Sequence, residues 1–127
     1  MRLTICLTAL VLCANSTQVT AKAAPFEIKH TTWTYVDPGK KVKAIESIDA
    51  DGNYIENAVS GKHIDHGTGV MKDGKACFTS AMTKQGEVCW SVPKSPTKIG
   101  HSIVVTSDKG EKLKVTRVAY TQQKMPK

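Results

Sequence analysis

From residue 24 onward, apolar positions recur in short runs rich in Val, Ile, Thr, Tyr and Trp, and no window of about 11 residues holds them at helical spacing. The runs predict strands over residues 28–36, 42–48, 53–59, 67–71, 75–79, 87–92, 102–106 and 112–120. Between them stand turn residues: Asp37-Pro38-Gly39-Lys40, Asp51-Gly52, Ser60-Gly61-Lys62, Lys72-Asp73-Gly74-Lys75, Lys84-Gln85-Gly86 and Asp108-Lys109-Gly110. Glycine supplies the positive φ and proline the fixed φ that tight turns require. Loops this short cannot make parallel crossovers, so strands adjacent in sequence pair antiparallel. The pattern predicts an all-β chain: a single antiparallel meander of seven or eight strands, curled into an open barrel or a small sandwich.

Two hairpins can be registered. A two-residue type I′ loop at Asp51-Gly52 sets Ile48 opposite Ile55 and Ala44 opposite Val59, which gathers four apolar residues on one face. Setting Cys77 opposite Cys89 pairs Phe78 with Val88 and Ala76 with Trp90, so these four share the face away from the cysteines. In the last run Val118 and Tyr120 fall out of phase with Leu113 and Val115, which predicts a bulge near Thr116-Arg117. Residues 93–100, with two prolines, form the longest connection, and residues 121–127 read as a flexible tail.

The N-terminus changes the compartment. Met1-Arg2, an uncharged apolar stretch from Leu3 to Cys13, and the small-x-small trio Ala21-Lys22-Ala23 have the order of an export signal cleaved after Ala23. The organisation expected is a signal peptide over 1–23, a β domain over 24–120 and the tail over 121–127. The apolar run is about 12 residues, short of the roughly 18 that a membrane-spanning helix needs. The large Leu12 before Cys13 argues against lipidation at that cysteine. Cleavage removes Cys6 and Cys13, leaving Cys77 and Cys89 as an even pair in an oxidising compartment, hence one disulfide, Cys77–Cys89. The expected location is periplasmic or secreted.

Loss of Arg2 and Lys22 lowers the net charge from +7 to +5. The lysines gather at turns (Lys40, Lys41, Lys43; Lys109, Lys112, Lys114), where they aid solubility and discourage edge pairing. Nucleic-acid readers interleave aromatics with arginines, and the chain beyond residue 23 holds a single arginine, Arg117, which argues against a nucleic-acid partner.

Candidate chemistry is sparse. His63-Ile64-Asp65-His66 is the densest set of metal-ligand types, suited to zinc or copper if a loop turns His63, Asp65 and His66 together, but on a strand the two histidines would point to opposite faces. His30 is isolated, and His101 shares a strand face with Ile103 and Val105. Ser60 and Ser80 lack a nucleophile-elbow context, and Asp49, Asp51, Asp73 and Asp108 sit in turns, where local hydrogen bonds to backbone account for them. No phosphate loop, dinucleotide fingerprint or calcium loop is present, so no cofactor is expected. Trp33, Tyr35, Tyr54 and Trp90 remain, either as the core or as the lining of a pocket for a small ligand.

Trp33-Thr34-Tyr35, Asp49-Ala50-Asp51-Gly52-Asn53-Tyr54, Gly67-Thr68-Gly69-Val70, Lys72 to Phe78 and Cys89-Trp90 resemble a loose group of small exported alphaproteobacterial proteins with a two-cysteine hairpin. That group often carries Trp after the Gly-Thr pair, where this chain has Gly69-Val70. The resemblance implies a β-rich exported domain and no activity. The function expected is therefore an exported, non-catalytic binding or envelope-interaction module whose partner is a small ligand or an envelope protein. The alternative is a small metal-dependent enzyme or metal-binding protein using His63, Asp65 and His66.

Overall fold

A computed structural model describes residues 15–127. Most of the expected signal segment, Cys6 and Cys13 included, lies outside the described residues, and residues 15–23 are exposed and free of helix or strand. Beyond them the chain is all-β: β1 (Thr31–Val36), β2 (Lys43–Ile48), β3 (Asn53–Ala58), β4 (His63–Lys72), β5 (Lys75–Ser80), β6 (Glu87–Ser91), β7 (Ser102–Ser107) and β8 (Lys112–Val118). Each strand pairs antiparallel with the next, and β8 returns to β1 through Thr32↔Val118, Trp33↔Arg117 and Thr34↔Thr116, closing a barrel. Closure leaves no strand edge for another chain to extend. The seam is thinnest between β6 and β7, where only Trp90↔Ser107 and Ser91↔Thr106 are in register.

Because side chains alternate across a strand, every second residue enters the barrel. The disulfide hairpin follows the sequence pattern: Cys77↔Cys89, Phe78↔Val88 and Ala76↔Trp90 are cross-strand pairs, and Cys77 and Cys89 are bonded on the outer face. The β2–β3 hairpin does not. Ile48 lies opposite Tyr54 and Ala44 opposite Ala58, one residue off the two-residue-loop register. Asp49 causes the difference. Its main-chain N–H donates to Asn53 O, its Oδ1 accepts from the N–H groups of Asp51 and Asn53, and Gly52 takes a φ of 88°, so Ala50, Asp51 and Gly52 form a three-residue loop ending in a left-handed glycine. The slip reverses the face of every β3 side chain: Tyr54 and Glu56 point inward in place of Ile55.

Two further expectations are revised. The irregularity falls in the β3–β4 ladder at Glu56/Asn57, not at Thr116-Arg117; β8 runs in unbroken register, and Tyr120 lies beyond its end, stacked on His30 with ring centroids 3.8 Å apart. Residues 121–124, expected to fray, lie along the outside of β1–β3. The Thr121 N–H donates to Thr32 Oγ1 (2.8 Å), the Gln123 N–H to Ser47 Oγ (2.8 Å) and Asn57 Nδ2 to the Lys124 carbonyl (3.0 Å). Thr32 and Ser47 are buried beneath this strap.

One end of the barrel is sealed by the segment before β1. Phe26 and Ile28 turn inward and are buried, Phe26 stacks on Trp33 at 6.0 Å, and the Phe26 N–H donates to Lys94 O on the long connection. The wall thins where rings must fit. A Cβ at Gly67 would lie 2.0 Å from Thr79 O and 2.9 Å from the Tyr54 ring, and one at Gly69 would lie 2.8 Å from the Phe78 ring. These two glycines let Tyr54 and Phe78 lie against β4 in a T-shaped pair at 5.6 Å.

Candidate functional site

Packing from Phe26, Ile28, Trp33 and Ile48 fills the sealed end, and above it the barrel encloses a cavity of about 410 Å³. It reaches the opposite end beside the exposed Pro38, Thr83, Gln85 and Glu111, which belong to the connections following β1, β5 and β7. A cavity of this size lies in the range of small-molecule sites, roughly 300–1,000 Å³. All four aromatics singled out in the sequence line it. Trp33 and Tyr54 are buried, whereas Tyr35 and Trp90 are half-buried, so Trp90 is cavity wall more than core.

The two sides of the cavity differ. On β5 to β8 the inward residues include Phe78, Val88, Trp90, Ile103, Val105 and Leu113, an apolar and aromatic wall. On β2, β3 and β4 the ladder places three carboxylic acids side by side: Glu46 pairs with Glu56, and Glu56 with Asp65. All three line the cavity, and among the described residues no Lys, Arg or His does. Like charges in direct cross-strand pairs are destabilising, so this row opposes folding wherever its members are ionised.

Hydroxyl groups hold two of the three. Tyr35 OH donates to Glu46 Oε2 (2.9 Å), and Tyr54 OH donates to Asp65 Oδ2 (2.9 Å). Asp65 Oδ1 also accepts from Ser80 OH (2.6 Å) and from the His66 N–H (2.9 Å). Ser80 is itself fixed, since its Oγ accepts the N–H groups of Met82 and Thr83. Glu56 is different: it is 6% exposed, and its Oε1 is buried with no hydrogen-bond partner. A buried unsatisfied carboxyl oxygen carries a desolvation cost of about 1–3 kcal/mol.

The electrostatics follow. Burial, with the neighbouring charge of Asp65, pushes the Glu46 carboxyl up to about 7 against the opposing hydrogen bond from Tyr35. Burial, then the charges of Glu46 and Asp37, pushes Glu56 up to about 8, while the nearby Tyr35 hydroxyl pulls the other way. The Tyr35 and Tyr54 hydroxyls are held well above the usual phenol range, by burial first and by the adjacent carboxylates second, so both remain donors. Near neutral pH the row is therefore partly protonated.

The set His63, Asp65 and His66 is divided by the barrel wall. Asp65 enters the cavity, whereas neither histidine lines it. The two rings do meet, His63 Nε2 lying 3.0 Å from His66 Nδ1, because the irregularity at Glu56/Asn57 breaks the alternation that would have parted them. His63 Nδ1 lies 2.8 Å from Asn57 Oδ1, a pure acceptor, so that nitrogen is the donor of this bond. Among the described residues, the one trio of His, Cys, Asp or Glu close enough to share an ion is Cys77, Glu87 and Cys89, and its sulfurs are already bonded to each other. His101 is exposed and stands just before β7, not half-buried on its inner face.

Glu46, Glu56 and Ser80 are the site residues that reading the sequence missed. One signal was present: Glu46 stands two residues from both Ala44 and Ile48, so any strand that buries those two buries Glu46 with them. No helix among the described residues is long and apolar enough to cross a membrane. No family model, curated protein or solved structure matches the chain. What defines the protein is thus its own architecture: a closed eight-stranded antiparallel barrel around a cavity with one acidic and one apolar wall.

Proposed function

We propose that this protein is an exported, non-catalytic binding module that holds one small amphipathic molecule inside its barrel. The observation that carries the reading is the 410 Å³ cavity, closed at one end by Phe26 and Ile28 and walled by aromatics. Eight-stranded barrels are wide enough to hold a single small ligand, and a rigid cross-linked wall keeps a site open without ligand. The Cys77–Cys89 bond supports an oxidising location, periplasmic or secreted, and agrees with the export signal expected at the N-terminus. Envelope proteins would be the source or destination of the cargo and not its substitute, since the concave feature lies inside the barrel and not on its outer face.

The test is titration with the neutral fluorophore N-phenyl-1-naphthylamine. Saturable enhancement at one probe per chain, with quenching of Trp33 and Trp90 emission, is the expected result. Non-saturable or absent enhancement overturns the reading.

A further inference from the structure

Resting on the binding reading above, we propose that the molecule held in the barrel is an organic cation: a protonated amine or amidinium head seated against Glu46, Glu56 and Asp65, with its apolar body against Phe78, Trp90 and Val105. The ladder places the three carboxyl groups in one row along the cavity, and Glu56, whose side chain lines it and is 6% exposed, keeps a buried Oε1 without a hydrogen-bond partner. Among the described residues no positive group answers them from within the cavity, although the overall charge of the chain is positive. The charged side chains that line the cavity are all acidic. A neutral polyol could donate to Glu56, but it would leave the repulsion along the row in place. A carboxylate or phosphate would add to it. A nitrogen cation supplies both charge and N–H donors, and charge-assisted hydrogen bonds of this kind are about twice as strong as neutral ones.

The geometry separates an organic cation from a bare metal ion. The oxygens of Glu46, Glu56 and Asp65 do not converge to the distance at which one ion is shared. Asp65 already accepts three hydrogen bonds, from Tyr54, Ser80 and His66 N–H, and Glu46 accepts one from Tyr35. What remains open is a spread line of acceptors centred on Glu56, which suits an ammonium or amidinium with several divergent N–H bonds. The partial protonation of Glu46 and Glu56 is the state expected of such a site before its cation arrives.

The experiment uses three probes with one tail, decylamine, decanol and decanoate, each displacing N-phenyl-1-naphthylamine from the purified disulfide-bonded protein at about pH 8, where the amine is protonated. The amine should bind at least about tenfold more tightly than the alcohol, the scale of a charged hydrogen-bond pair, and the anion most weakly. In Glu56→Gln, which keeps the shape of the side chain, the amine-to-alcohol ratio should fall to within about threefold. Circular dichroism of the variant checks the barrel, and Glu46→Gln provides a second reading of the ratio should Glu56→Gln not fold. Equal affinities for amine and alcohol, preference for decanoate, or a ratio unchanged in a folded variant overturns the cation while the binding reading stands. Failure of the fluorophore and all three probes to bind overturns both.

Discussion

Glu46 on β2 and Glu56 on β3 are direct cross-strand partners, and both side chains enter the barrel where no basic side chain among the described residues meets them. Glu56→Gln abolishes the repulsion between the two, keeps the volume and gives Glu46 an amide donor. It should therefore stabilise the empty protein by about 1–2 kcal/mol at pH 8 to 9. Urea unfolding of the two proteins checks this. A loss of stability would mean that Glu56 is satisfied in solution.

The same pair sets a pH dependence. Glu46 and Glu56 titrate near 7 and 8 in the folded barrel, against 4.5 for ordinary glutamate, so between pH 4.5 and 8 the folded state binds more protons than the unfolded one. Stability then falls as pH rises through that window, opposite to the usual effect of a paired carboxylate. Between about pH 5.5 and 8.5 the loss should be at least about 1 kcal/mol, and the double change Glu46→Gln with Glu56→Gln should flatten it. Melting temperature against pH, in both proteins, measures the slope.

The strand content and the cysteine hairpin were legible because alternation, turn residues and an even cysteine pair each report local facts. The acidic row was hidden for two physical reasons. The face of β3 depends on the loop before it, and the side chain of Asp49 selects three loop residues in place of two, which sends Glu56 inward and Ile55 outward. Asp65 stands in a stretch whose polarity resembles a hairpin tip, yet β4 begins at His63 and carries it into the wall. Closure of the barrel is a matter of tilt and shear summed over all strands, which turn spacing does not encode.

The disulfide closes a loop with a sequence separation of 12, so changing Cys77 and Cys89 together to Ser should cost about 2–4 kcal/mol while the strand signature in circular dichroism persists. Trp90→Ala should cost less than the cysteine pair, on the order of 1–2 kcal/mol, because Trp90 is half-buried beside a cavity that already opens at the mouth of the barrel, so its removal leaves no new sealed void. Thermal melts of the two variants order them. A larger loss for Trp90→Ala would place Trp90 in closed core.

Gly67 is constrained by backbone: a Cβ there would approach Thr79 O to 2.0 Å. Gly67→Ala should push β4 away from β5 and lower stability by about 2 kcal/mol or more, far beyond an ordinary surface Gly→Ala change. Gly74, whose Cβ would meet nothing within 4 Å, lies in an open turn and provides the contrast through Gly74→Asn, an exchange its positive φ tolerates. Chemical denaturation should separate the two variants, and equal midpoints would contradict the close approach.

The proposed ligand site lies inside the barrel, between the acidic and apolar walls. Nuclear Overhauser contacts between bound decylamine and the protein test it most directly. Contacts are expected from the decyl chain to the ring protons of Phe78 and Trp90 and to the Val105 methyl groups, with the Glu56 side-chain resonances shifting as the amine saturates. Contacts confined to the outer-face residues Val104 and Val36, or none at saturating amine, would contradict it.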